Sequence, residues 1–223
     1  MMKIHSSFRF LLAALALGTA HAQAVDPDTL PGRGGAAATE ESRHAAGADS
    51  TIHPIRGFLP DLDFELVAAG NKTLTEEDFK DKVVMMFFGY ASCPDICPTT
   101  MAQLAMVMEN LGEQARHARV IFVSVDPHRD TPEILQAYVD AFDSRHAIGL
   151  TGSERQIERL ARRYRVAYQI EKPRSDDAND YEVAHSRGIY IFDTRGKARM
   201  LASDGESVEK LTAAVRELLP DAS

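Results

Sequence analysis

Tryptophan is absent from this chain of 223 residues, and cysteine occurs only twice. Two cysteines cannot build the multi-bridge scaffold of a small secreted protein. Nor do they make a useful staple: three residues separate Cys93 from Cys97, and closing so short a loop removes little chain entropy. No apolar stretch is long enough for a comfortable membrane span; the run at 10–20 has about 11 residues, where about 20 are needed. A basic excess is missing too. Lys and Arg number 25 against 33 Asp and Glu, for a net charge of -8, and no basic stripe with interleaved aromatics appears, which argues against nucleic acid as a partner. No internal repeat is visible. What the chain does have is 44% hydrophobic residues, enough for the core of one domain of ordinary size.

The N-terminal segment has Lys3 and Arg9, then the apolar run, then Ala20-His21-Ala22. A charged start, an apolar middle and a small-x-small site predict a signal peptide over 1–22, cleaved after Ala22 or else after Ala24. Retention of the segment as a membrane anchor is the alternative. Export implies the periplasm, where paired thiols tend to oxidise, so an active pair needs a reductant. Residues 23–57 are rich in Gly, Ala, Asp and Ser without an apolar period, which predicts a flexible linker. His44 and His53 fall within it and read as solvated.

The folded domain is expected over 58–221. Residues 83–88 and 120–125 are apolar runs of buried-strand type. Helical spacing follows each, from about Pro98 and again after Thr131-Pro132-Glu133, an N-cap, an N1 proline and a first-turn acid. A short strand at 148–150, a helix capped by Ser153 and a strand at 166–170 come next. A polar loop over 171–180, strands at 188–192 and 197–202 and a closing helix over 206–219 complete the chain. Met85, Met86, Met101 and Met108 sit at inward positions and read as core rather than as a metal relay. A βαβ half followed by a ββα half predicts an α/β, thioredoxin-like fold with a mixed central sheet flanked by helices and an extra hairpin insertion.

Both cysteines lie on the turn between the 83–88 strand and the helix that follows. Strand-to-helix turns are where α/β folds place their chemistry, and the positive end of the helix favours thiolate. Two thiolates serve either as a dithiol/disulfide pair or as ligands to a soft metal. Thioredoxin-type redox motifs have two intervening residues; the third residue here widens the turn, which suits gripping an ion. A metal needs a further ligand. His117, His128 and His146 read as surface histidines, whereas His185 precedes a strand of the ββα half and can face the turn; position alone leaves it evenly balanced between ligand and bystander. Asp95 reads as a solvated turn residue, Asp126 and Asp130 as capping and loop-bonding groups, and Tyr90 as a wall of the site.

Three stretches, FFGYASCPDICPTT at 87–100, SVDPHRDTP at 124–132 and YEVAHSRGIYIFDTRGK at 181–197, together resemble the SCO/SenC family of copper chaperones. The resemblance covers about 60–219. It implies copper, as Cu(I) or Cu(II), bound by Cys93, Cys97 and His185. It also implies delivery of that copper to the CuA site of cytochrome c oxidase subunit II, with a copper donor and a thiol reductant as further partners. Some members of the family look like thiol-disulfide reductases, in which Cys93 and Cys97 would be the catalytic redox pair. A peroxidase-like thiol enzyme is a weaker reading. One departure stands out: the family usually has an acid before the histidine, and here the residue is Ala184, which bears on tuning and docking rather than on the ligands themselves.

Overall fold

The computed structural model describes residues 51–55 and 57–220, so the expected signal at 1–22 and most of the expected linker lie outside the described residues. The described part falls within the compact unit Gly47–Ser223. Its first strand, β1 (Ile52–Pro54), corrects the linker boundary: residues expected in the tether pair antiparallel with the far end of the chain. A hairpin follows, β2 (Glu65–Ala68) and β3 (Lys72–Thr75), whose turn uses left-handed conformations at Gly70 and Asn71.

At the centre is β4 (Val83–Gly89), all seven residues of which are buried. It leads to α1 (Ile96–Leu111), which begins two residues before Pro98, so that the proline occupies the first turn, where its missing N–H is not needed. Then come β5 (Ala118–Ser124), α2 (Pro132–Asp143), β6 (Ala147–Leu150) and α3 (Glu154–Arg163). The caps read from sequence are present: Thr131 accepts from the Ile134 N–H, and Ser153 forms a capping box with Gln156. The chain continues through β7 (Tyr168–Ile170), β8 (Val183–His185), β9 (Ile189–Phe192), β10 (Ala198–Ala202) and α4 (Val208–Arg216).

Six strands form one sheet in the order β1-β10-β9-β4-β5-β6. Strands β4, β5 and β6 are parallel, while β9 runs antiparallel to β4 and β10 antiparallel to β9. This mixed sheet with flanking helices is thioredoxin-like, as expected. The added hairpin is β7 with β8, a separate two-stranded sheet of three residue pairs that is not laddered to the central one. That detail matters, because β8 ends on His185. Met85, Met86, Met101 and Met108 are all in the core, as packing groups.

Candidate metal centre

The cysteine turn leaves β4 at Gly89 and enters α1 at Ile96. Cys97 is fully buried in the first turn of that helix, and Cys93, just outside it, is partly exposed. Gly89 makes this approach possible. A methyl group placed on it would stand 2.5 Å from the Cys97 Sγ and 2.9 Å from the Phe122 ring. Opposite stands His185 at the end of β8. Its Nε2 lies 3.6 Å from the Cys97 Sγ, and ligand atoms of Cys93, Cys97 and His185 all lie within 4.8 Å of one another. Among the described residues no other group of this kind occurs.

The three ligand atoms differ in protonation for physical reasons. Burial works to raise the Cys93 pKa, but the backbone N–H groups of Asp95, Cys97 and Ile96 point at the sulfur and carry it below the ordinary thiol range. Cys97 is pushed well up, first by burial and then by the neighbouring Cys93. His185 sits below the usual imidazole range because it is buried, with the nearby Arg187 charge acting in the same direction. Its Nδ1 is 3.0 Å from the Ser186 carbonyl oxygen. A carbonyl only accepts, so the proton is on Nδ1 and the Nε2 lone pair faces the sulfurs. A neutral imidazole fixed through its other nitrogen is the form in which histidine binds metals.

The walls are aromatic. Tyr90 meets the His185 ring edge-on at 6.0 Å and Phe87 does so at 6.2 Å; burial pushes the Tyr90 hydroxyl up to about 12. Cys93 and His185 keep the site open on one side. Two thiolate-type sulfurs and an imidazole form a donor set suited to a soft cation of the Cu(I) class, and an open side leaves room for an incoming ligand.

The other candidates are placed elsewhere. His117 pairs with Arg116, His128 with Glu154 and His146 with Asp143, and none of them joins the cluster. His53 is exposed on β1, and His44 lies outside the described residues. Asp95 is exposed and makes no capping bond. Ala184 is exposed on β8, on the face opposite His185 by strand alternation. Asp126 and Asp130 do more than expected, and neither is a helix cap. Both are buried, and Asp130 accepts hydrogen bonds from the Ala91 N–H at 3.0 Å and the Ser124 hydroxyl at 2.6 Å, which ties the β5–α2 loop to the cysteine turn. Arg129, Tyr181 and Gly89 were not singled out from the sequence, although all three lie in stretches that carried the resemblance.

A family profile described as SCO1/SenC matches residues 58–220. The chain belongs to the SCO1/SenC family. Its relatives include a SCO2-like protein of Rickettsia felis, 35% identical over 135 residues that make up 60% of this chain and 65% of the relative. The mitochondrial SCO2 homolog of Bos taurus is 36% identical over 156 residues, or 69% of this chain and 58% of the relative. The chain thus spans less than two thirds of the length of these curated SCO proteins. Among solved structures, Bradyrhizobium japonicum ScoI with copper bound matches with a TM-score of 0.64 at 31% identity, covering 71% of this chain and 99% of that one. Arabidopsis thaliana ScoI with copper bound matches with a TM-score of 0.63 at 33% identity, covering 70% and 96%.

Proposed function

We propose that this SCO1/SenC protein is a copper metallochaperone that carries copper to the CuA site of cytochrome c oxidase subunit II. The observation that carries the reading is the convergence of Cys93, Cys97 and His185, far apart in sequence, within 4.8 Å. The copper-bound structures of two relatives support it. Cys93, the more acidic thiol, is the first to engage the ion. Cys97 gives up its proton as it joins, and His185 supplies Nε2 without any protonation change near neutral pH. Cargo leaves by stepwise exchange: ligands of the partner enter from the open side as the chaperone's own let go. The protein would act in the periplasm after export by the segment over 1–22, through the linker that follows it. Among the described residues no helix is long and apolar enough to cross a membrane.

Titrating the reduced chain with copper should give about one ion per chain, and His185→Ala should weaken binding by orders of magnitude. A variant that holds copper as tightly as the parent would remove His185 from the site.

The contrast between an acidic, accessible Cys93 and a buried Cys97 favours a second reading, reduction of a target disulfide. Cys93 thiolate would attack one target sulfur and release the other as thiolate. Cys97 would then lose its proton and displace the target from the mixed disulfide, leaving a Cys93–Cys97 disulfide and a target carrying two more electrons. An external thiol reductant would restore the pair. Cys93→Ser abolishing reductase activity while His185→Ala spares it would mark this reading as the operative one.

A further inference from the structure

We infer that Arg129 is a clasp that fixes the distance between the cysteine turn and the histidine hairpin, and so positions His185 over the sulfurs. The inference rests on the metal-site reading above for its consequence, and on geometry alone for its mechanism. His185 stands on the β7–β8 hairpin, which shares no ladder with the central sheet. Its open end is held by the chain leading in from α3 and running on into β9, and is closed by the hairpin's own bond from the Ser186 N–H to the Ala167 carbonyl at 2.7 Å. Something must hold the other end.

Arg129 does so. Its Nη1 donates to the carbonyl oxygens of Asn179 and Tyr181, both at 2.8 Å, at the closed end of the hairpin. Its Nε donates to the buried Asp126 carboxylate at 2.5 Å, whose other oxygen accepts from the Tyr181 hydroxyl at 2.8 Å. The guanidinium lies 3.7 Å from the centre of the Tyr181 ring and 5.5 Å from that of Tyr90. Tyr90 touches His185, and its carbonyl accepts the Cys93 N–H at 3.2 Å. On the cysteine side the neighbouring Asp130 holds the Ala91 N–H, and Val125 N–H donates to the Gly89 carbonyl at 2.8 Å. One loop between β5 and α2 therefore grips both halves of the metal site. The Arg129 Nη2 is buried and has no hydrogen-bond partner within the protein. A guanidinium is suited to this task because its rigid fork spans a carboxylate and two carbonyls at once, which an ammonium on a flexible stem cannot.

The test has two arms on the reduced full-length chain. In the metal-free protein, NMR contacts between the Tyr90 and His185 rings should be present in the parent and lost in Arg129→Met and Arg129→Lys, with helix and central-sheet signals unchanged. Persistence of those contacts in both variants overturns the clasp, whatever copper does. In the second arm, copper affinity should fall about 10–100-fold in either variant, the range seen when groups that orient a metal ligand are lost. The same substitution made in His185→Ala should cost almost nothing more, because the residue it positions is gone. Equal losses in both backgrounds would make Arg129 a structural residue only and overturn the inference. A parent that binds no copper would defeat the proposed function while the metal-free arm still decides the clasp. Tyr181→Phe, which deletes one bond and leaves the fold's packing, should give a smaller loss of the same kind.

Discussion

At the scale of single residues, the two sulfurs are chemically unlike although only three residues separate them. Cys93 sees three backbone N–H groups at a helix start; Cys97 sees apolar surroundings and its partner's charge. Alkylation followed by peptide mapping should therefore modify Cys93 first, at pH values below those at which an ordinary thiol reacts, with Cys97 labelled only at high pH or on unfolding. Equal rates at the two positions would contradict this asymmetry. Gly89 is the third partner in the arrangement. Its backbone is in an ordinary conformation, so the requirement is for space rather than for unusual torsion angles. Gly89→Ala must move either a sulfur anchored in the first turn of α1 or the ring of Phe122, which is wholly buried in β5. Overpacking of this sort costs about 1–3 kcal/mol, which denaturant unfolding will read, and copper binding should weaken in parallel. Unchanged stability would show that the pocket yields more readily than its packing suggests.

At the scale of elements, the least expected contact is the attachment of β1 to the start of α4. Glu206 accepts from the Thr51 N–H and the Thr51 hydroxyl, both at 2.8 Å, and from the Ser207 N–H at 2.8 Å, with Lys210 beside it. Burial works to raise its pKa, but these donors outweigh it and hold it at about 2. A carboxylate depressed on folding contributes stability that is complete above the ordinary glutamate range of about 4.3 and is lost as pH falls toward 2. Hydrogen exchange at Thr51 and along β1 should accordingly speed up as pH falls through that window, beyond the intrinsic change. Glu206→Gln, which keeps an acceptor oxygen but loses the charge, should show weaker protection by about 1 kcal/mol at neutral pH and no such pH dependence. This contact also shows where the sequence stopped being legible. Strands β4 and β5 and the caps at Thr131 and Ser153 have local signatures and were readable. β1 has none: its three residues pair with β10, and Thr51, just before it, bonds to Glu206 155 positions away. Of the equally short hairpin strands, β7 falls within the strand expected at 166–170, whereas β8 gave no signal of its own. At the site the same division holds. The cysteine pair was legible as a motif; His185 was undecided from position, because only the fold brings β8 back over the turn. Arg129 was silent because all but one of its polar contacts, that with Asp126, cross some 50 positions.

For the whole molecule, the Cys93, Cys97 and His185 cluster joins the central β4–α1 unit to a hairpin outside the main sheet, so an ion bound there should act as a cross-link between parts that the backbone ladder leaves separate. An ion that binds the folded chain and not the unfolded one raises stability by about 2.7 kcal/mol at a free concentration one hundred times its Kd. For a domain of this size that corresponds to about 5–10 °C in Tm. The unfolded reduced chain is not inert, however: Cys93 and Cys97 remain neighbours in sequence and still offer two thiolates. Only the imidazole is contributed by folding. The measured shift should therefore fall short of the full linkage value, and almost all of it should depend on His185. Thermal unfolding of the reduced protein with and without copper, repeated on His185→Ala, is the measurement. The parent should gain several degrees and the variant close to none. A variant that gains as much as the parent would mean that the ion is held by the cysteine turn alone, that the hairpin is a bystander, and that copper does not lock the two parts together.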